Sequence, residues 1–132
     1  MFPIAHQKQP CELSCGATCL AMILGQDVKE LINELPFVLP YADEVIYGQL
    51  VKNNFLPVKI DGMMNANLEK ESIYLISTFG IKGGPHMVVG KMGSNGSELT
   101  VFDPCENKEI IVNWLNMLTV DKIFDCSSGA AL

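Results

Sequence analysis

Two side chains of this sequence are of the types needed for nucleophilic chemistry, a thiol at Cys15 and an imidazole at His86. Cys15 opens the mostly apolar segment Cys15–Leu24, which is typical of a buried helix. A thiol at a helix N-terminus beside an imidazole ionises readily, because the positive end of the helix and the imidazolium both stabilise thiolate. Gly16 is expected to let the backbone turn sharply into this helix. The pattern predicts that Cys15 is a nucleophile and His86 its base.

Acyl chemistry also needs a donor that binds the oxyanion of the tetrahedral intermediate. Gln9 stands six residues before Cys15, so its side-chain amide can reach that position. Gln7 is the local alternative. Loss of one such donor slows acyl transfer by about a hundred to a thousandfold, and we therefore predict that Gln9 is catalytic.

The imidazole needs a group that fixes its orientation and tautomer, and Asp103 is placed to do so. It follows His86 by 17 residues, and the turn-forming segment Gly93–Ser97 lies between the two. We expect both residues on adjacent antiparallel strands, where facing side chains come within hydrogen-bonding range. Asn107 is a weaker alternative, since an amide oxygen can also orient an imidazole.

Three stretches of the chain together resemble the motifs of one enzyme family. The segment Gln9–Leu24 resembles the glutamine and nucleophile motif of the C39 branch of the papain-like cysteine peptidases. His86–Gly90 resembles that family's histidine strand, and Val101–Pro104 resembles its Asp-Pro strand. The order and spacing of the three agree, and the likeness extends from about Gln9 to about Leu118. The resemblance implies a papain-like fold.

By the same resemblance, Cys15 is the nucleophile, His86 the base, Asp103 the orienting residue and Gln9 the oxyanion donor. Ser14 stands where many family members have an aspartate directly before the nucleophile. Many members are N-terminal domains of ABC transporters and cut leader peptides after a double glycine, whereas nothing in this sequence resembles a transporter. These observations are compatible with an excised domain, a soluble relative or an effector. A transporter or a secretion system is then the expected partner.

Three functions are compatible with these residues. The first is a thiol peptidase that cleaves a peptide bond, with a double-glycine leader peptide as one candidate substrate. The second is a papain-like effector that deamidates or otherwise modifies a glutamine side chain of a target protein. The third is a non-catalytic peptide-binding module, which is disfavoured because degenerate relatives commonly lose the nucleophile or the base. Each function takes a peptide or protein partner, and none needs a cofactor.

The composition favours a single domain over residues 1–132. Of these residues, 48% are hydrophobic and 18% charged, which is enough for a packed core. No apolar run is long enough to span a membrane, so no membrane span is expected. The N-terminus lacks the basic start and apolar core of a signal peptide. These features favour a cytoplasmic protein, or one that is exported without a cleaved signal.

The chain is acidic, with a formal net charge of -6 and a pI near 4.7. A nucleic-acid surface needs clustered Lys or Arg to replace counterions at the phosphates, so no nucleic-acid partner is expected. An acidic balance favours solubility, or a basic peptide or protein partner.

Three of the five cysteines raise a metal site as an alternative. Cys11, Cys15 and Cys19 are spaced by four, and His6 lies near them. This spacing lacks the close Cys-x2-Cys pairs that complete a structural zinc site. We therefore expect no bound metal.

The odd number of cysteines leaves at least one thiol unpaired within a monomer, and Cys15 is the expected one. Cys105 and Cys126 are candidates for pairing with each other or with Cys11. A reducing compartment favours free thiols instead.

The expected elements place helices first and strands afterwards, which predicts an α+β domain with the nucleophile helix packed on a mostly antiparallel sheet. Helices are expected at Cys15–Leu24, from Asp27 to the residue before Pro36, from Asp43 to about Lys52, and at Asn113–Leu118. Strands are expected at Pro57–Ile60, Ile73–Ser77, His86–Lys91, Leu99–Asp103, Glu109–Val112 and Lys122–Phe124. A loose tail is expected from Ser127, and substrate-groove residues are expected within Val38–Lys52 and Phe79–Pro85.

Overall fold

The computed structural model of the chain describes residues 3–60, 68–79, 85–113 and 116–127. Three helices occupy the first half of this part. The first, α1, spans Cys15–Leu24 and ends at Gly25, whose φ of 69° is the left-handed conformation that favours glycine. Its N–H donates to the carbonyl of Ala21 and closes the last turn. The expected bounds of this helix are confirmed.

The next two helices begin at different kinds of residue. Helix α2 spans Val28–Glu34, and the Asp27 carboxylate before it accepts hydrogen bonds from the N–H groups of Lys29 and Glu30. Asp27, at which the expected helix begins, is thus its N-cap. Helix α3 spans Asp43–Lys52, with acidic residues in its first turn and a lysine in its last, which suits the helix dipole.

Six strands form one open antiparallel sheet in the order β1-β6-β2-β3-β4-β5. Their bounds are β1 Phe55–Ile60, β2 Ile73–Phe79, β3 Pro85–Met92, β4 Leu99–Phe102, β5 Ile110–Val112 and β6 Thr119–Asp125. Strand β6 returns between β1 and β2 and pairs with both. Helices followed by an antiparallel sheet confirm the α+β class.

The central strands of the sheet are buried on both faces, and their alternate residues divide between two apolar clusters. On β2, Ile73 and Leu75 pack with the helices, whereas Tyr74 and Ile76 point to the other side. The first cluster contains most of α1 and holds that helix on the sheet. The second is completed by Leu68 and other residues of the connecting segments.

Three expectations for the second half of the chain need correction. Strand β4 ends at Phe102, so Asp103 lies one residue beyond the strand to which the sequence pattern assigned it. The helix expected over Asn113–Leu118 is wrong for the residues described there, because 113 and 116–118 are not helical. Strand β6 is longer than expected, because it pairs with strands on both of its sides. Residues 80–84 of the expected groove and 128–132 of the expected tail lie outside the described residues.

Within the described residues, no helix is long and apolar enough to cross a membrane.

Two glycines give a direct test of this packing. A Cβ on Gly90, in β3, would lie 2.8 Å from Ile76 Cδ1 and 3.1 Å from Leu99 Cδ1, whereas a Cβ on Gly48, in α3, meets nothing within 4 Å. Gly90→Ala should therefore lower the free energy of unfolding by about 1–3 kcal/mol. Gly48→Ala should raise it by about 0.5–1 kcal/mol, because alanine favours the helix. Urea denaturation of both variants measures this, and equal effects would contradict the close packing of β3.

Candidate active site

Cys15 is the first residue of α1 and lies against the start of β3. Its thiol is half-buried and forms a hydrogen bond with His86. Backbone groups of Met87 and Gly16 also form hydrogen bonds with the sulfur. The bond to His86 is the main cause that lowers the pKa of the Cys15 thiol, and burial opposes it. The structure thus places the sulfur where thiolate is stabilised by an imidazole and by a helix N-terminus.

His86 is the second residue of β3, and its ring is held on the side away from the thiol. Its Nε2 lies 2.5 Å from Oδ1 of Asp103. Because Nε2 is occupied by the carboxylate, Nδ1 is the ring nitrogen left to interact with Cys15. The His86 side chain is only 8% exposed, so this orientation is enclosed by protein. The structure therefore brings Cys15, His86 and Asp103 together in the order predicted from the sequence.

The contact between His86 and Asp103 shifts the pKa of both side chains. The hydrogen bond to Asp103, followed by the one to Cys15, raises the pKa of His86 to about 9. Burial would raise the pKa of Asp103, but the hydrogen bonds from His86 and from the Cys105 N–H bring it below its usual value. At neutral pH the arrangement favours an imidazolium between a thiolate and a carboxylate.

Gly16 has a role that differs from the expected one, and Ser14, on the other side of Cys15 in the sequence, is buried. Gly16 lies inside α1 without a positive φ, so it does not act by permitting a sharp turn. A Cβ there would lie 3.0 Å from Ile46 Cδ1, so the missing side chain lets α1 and α3 approach each other. Ser14 is fully buried, and its Oγ donates to the carbonyl of Cys11, which leaves it no access to substrate.

The two candidate oxyanion donors, Gln7 and Gln9, differ in their hydrogen-bond partners. Gln7 donates from Nε2 to the carbonyl of Gln26 at 2.7 Å and accepts from the N–H of Val28 at 2.8 Å. Both ends of its amide thus tie the N-terminal segment to the connection between α1 and α2, and Gln7 is unsuited to bind an oxyanion. Gln9 donates one hydrogen from Nε2 to the carbonyl of Cys11 at 2.9 Å. Its oxyanion role stays a prediction.

The segment before α1 is fixed to the loop that carries Asp103. The Gln9 N–H donates to the carbonyl of Pro104 at 2.8 Å, and Nε2 of His6 lies 2.8 Å from the Asp103 carbonyl. Lys8 donates to the side-chain oxygen of Asn107. Asn107 therefore faces Lys8, and Asp103 is the residue that contacts the imidazole. His6 and Asp103 are 97 positions apart in the sequence, so no local pattern could show this contact.

All five cysteines are free thiols, so the structure contains none of the pairings considered above. Cys19 is buried one helical turn below Cys15, where its Sγ donates to the carbonyl of Met87, and burial raises its pKa well above the usual value. The zinc set weighed from the sequence does not come together within the described residues. Cys105, however, lies beside His86 and Asp103. Sequence reasoning missed this position, because Cys105 forms no metal-ligand spacing with either residue.

A cleft of about 450 Å³ opens beside Cys15 and His86. Its lining is mostly apolar and comes from both layers of the fold, including Tyr41 and Ile46 from the helical side and Met87 from the sheet. Two carboxylates, Glu12 and Asp43, also border it. Parts of both expected groove segments, Val38–Lys52 and Phe79–Pro85, contribute lining residues.

Comparison with known proteins gave no match, either with a protein-family model or with a curated protein. The likeness to the C39 branch therefore remains an inference from three motifs.

Alkylation provides a test of the thiol environment. Iodoacetamide at pH 7 should label Cys15 at least about ten times faster than Cys11 and Cys126, because the hydrogen bond from His86 lowers the pKa of the Cys15 thiol and raises its thiolate fraction. Cys19 should not react in the folded protein, since it is fully buried. His86→Ala should bring the Cys15 rate down to that of the other accessible thiols. Mass-spectrometric peptide mapping measures each rate, and equal labelling of Cys15 and Cys11 would contradict the assignment.

Proposed function

We propose that this chain is a papain-like thiol hydrolase that cleaves an amide bond of a peptide, with Cys15 as nucleophile. The observation that carries the proposal is the His86 ring, which is hydrogen-bonded to Asp103 through Nε2 and to Cys15 on its other side. This is the relation of nucleophile, base and orienting group that acyl transfer requires. The three C39-like motifs support it independently, because they name the same residues.

The reaction proceeds in two steps. The Cys15 thiolate attacks the carbonyl carbon, and the C=O electron pair moves onto oxygen, where the Gln9 amide and the N–H of Cys15 stabilise it. The C–N bond then breaks as His86 transfers its Nδ1 proton to the leaving amine. Water, deprotonated by His86, attacks the resulting thioester and releases the acid. Asp103 holds the ring in place throughout.

The shape of the cleft favours a peptide substrate. It lies between the helical layer and the sheet, so an extended chain can pass over Cys15 with an apolar side chain directed toward Ile46 and Met87. Tyr41 borders the same cleft, and its buried hydroxyl has no hydrogen-bond partner among the described residues. A buried hydroxyl without a partner costs about 1–3 kcal/mol. A polar group of the substrate would satisfy it.

Four substitutions separate the roles in this site. Cys15→Ala and His86→Ala should each lower kcat by at least about a thousandfold, and the double variant should be no worse because the pair acts as a unit. Gln9→Ala should lower kcat by about a hundredfold and retain some activity, because the backbone N–H of Cys15 remains as a donor. Asp103→Ala should also retain measurable activity. Activity is followed on a peptide library by mass spectrometry, with circular dichroism to confirm folding.

Cys126→Ser is the matched control, since this thiol lies outside the site and its loss should leave turnover unchanged. Mass spectrometry also separates the two enzymatic alternatives, because peptide cleavage divides the chain while deamidation of glutamine adds roughly one dalton. Undiminished activity of His86→Ala would overturn the thiol–imidazole mechanism for either substrate.

A pair of tyrosines tests the substrate role of the cleft. Tyr41→Phe should lower kcat/KM by about tenfold through loss of one hydrogen bond to substrate, without lowering stability. Tyr47→Phe should lower the free energy of unfolding and leave kcat/KM unchanged. The Tyr47 hydroxyl donates to the buried Asp121 carboxylate at 2.7 Å, away from the cleft. Steady-state kinetics and urea denaturation of both variants measure this. An effect of Tyr41→Phe on stability alone would contradict a contact with substrate.

A further inference from the structure

Cys105 has no role in the proposed reaction, although it lies beside two residues that do. One ligand atom each of His86, Asp103 and Cys105 fall within 4.8 Å of one another. In the part of the chain that the structure describes, these three side chains are the group close enough to share a metal ion. An imidazole nitrogen, a carboxylate oxygen and a thiolate sulfur form a donor set typical of Zn²⁺.

The loop after β4 holds Cys105 in this position. Its N–H donates to Oδ1 of Asp103 at 2.8 Å, and its Sγ lies 3.5 Å from Oε1 of Gln9. The loop is closed further by the N–H of Glu106, which donates to the Asp103 carbonyl at 3.0 Å. The residue is exposed, so an ion and its remaining water ligands can enter from solvent. These contacts hold the Cys105 thiol beside His86 and Asp103.

We propose that Zn²⁺ binds Nε2 of His86, the carboxylate of Asp103 and Sγ of Cys105, with water as the fourth ligand, and thereby blocks the reaction of Cys15. Binding releases two protons, one from Nε2 and one from the Cys105 thiol. Tetrahedral coordination places nitrogen and oxygen ligands about 3.3 Å apart, so the 2.5 Å contact between His86 and Asp103 must open by less than about 1 Å.

The blocking effect rests on the proposed function, whereas the binding itself does not. A metal on Nε2 replaces the proton through which Asp103 holds the ring, so the one remaining ring proton stays on Nδ1. Nδ1 then has no free electron pair with which to accept the proton of the Cys15 thiol, and the neutral metal-bound ring is a much weaker acid toward the leaving amine than an imidazolium. Cys15 and His86 offer a competing site, because Sγ of Cys15 and Nδ1 of His86 could bind the same ion. The variants must therefore separate Cys105 from Cys15.

Cobalt binding is the first measurement, because a cobalt–thiolate bond gives a near-ultraviolet absorption band. Wild-type protein in a phosphine reductant is titrated with Co²⁺, followed by displacement with Zn²⁺. We expect one equivalent with a thiolate band in the wild type and in Cys15→Ala. Cys105→Ser should lose the band and bind at least about tenfold more weakly. A missing band in the wild type, its persistence in Cys105→Ser or its loss in Cys15→Ala would each overturn the site.

Alkylation of Cys15 tests the blocking effect without any substrate. Zn²⁺ should slow labelling of Cys15 by at least about tenfold in the wild type, and by much less in Cys105→Ser, each compared with its own metal-free rate. Cys126→Ser should behave as the wild type. If cobalt binds but Zn²⁺ leaves the labelling rate of Cys15 unchanged, the metal site is supported and its blocking effect is contradicted. Failure to hydrolyse any peptide would affect the proposed function without touching either readout.

Discussion

The packing of α1 on β3 is the contact on which the candidate site depends. The buried side of α1 is made largely of small residues, including Ala17 and Ala21, so its backbone can approach the strand closely. Cys19 links the two elements directly, because its Sγ donates to the carbonyl of Met87 at 3.3 Å. One turn above this contact, the first residue of the helix reaches the first residues of the strand. The position of the Cys15 sulfur beside His86 follows from this packing.

The second requirement is that Asp103 stays beside the imidazole although it lies outside the sheet. Strand β4 pairs with β3 only as far as Phe102 opposite Val89, so the sheet alone does not fix Asp103. The segment before α1 completes the support through His6 and Gln9, which contact the carbonyls of Asp103 and Pro104. His6 and Gln9 thus hold the loop that carries Asp103, and changes in the N-terminal segment act on His86 through Asp103.

The helices and the triad could be predicted from sequence because their signals are local or have a known order. The apolar segment Cys15–Leu24 marked α1, and Cys15, His86 and Asp103 follow the order of a known set of motifs. The contacts that were missed join residues distant in the chain, such as Tyr47 with Asp121, and no pattern of spacing encodes them. The failed helix after Asn113 has a similar cause. Tertiary packing, which buries Met117 under the sheet, decides that segment rather than its helical propensity.

The raised pKa of His86, about 9, poses a question for the proposed reaction, because an imidazolium that holds its proton so strongly is a weak acid toward a leaving amine. The causes of the shift resolve it. Part of the increase comes from Cys15, through its hydrogen bond and its charge. When the thiolate attacks a carbonyl, its charge moves to the oxyanion near Gln9, and this part of the stabilisation of the imidazolium is lost. The proton therefore becomes easier to transfer at the step in which the amine must receive it, while the bond to Asp103 still holds the ring in place.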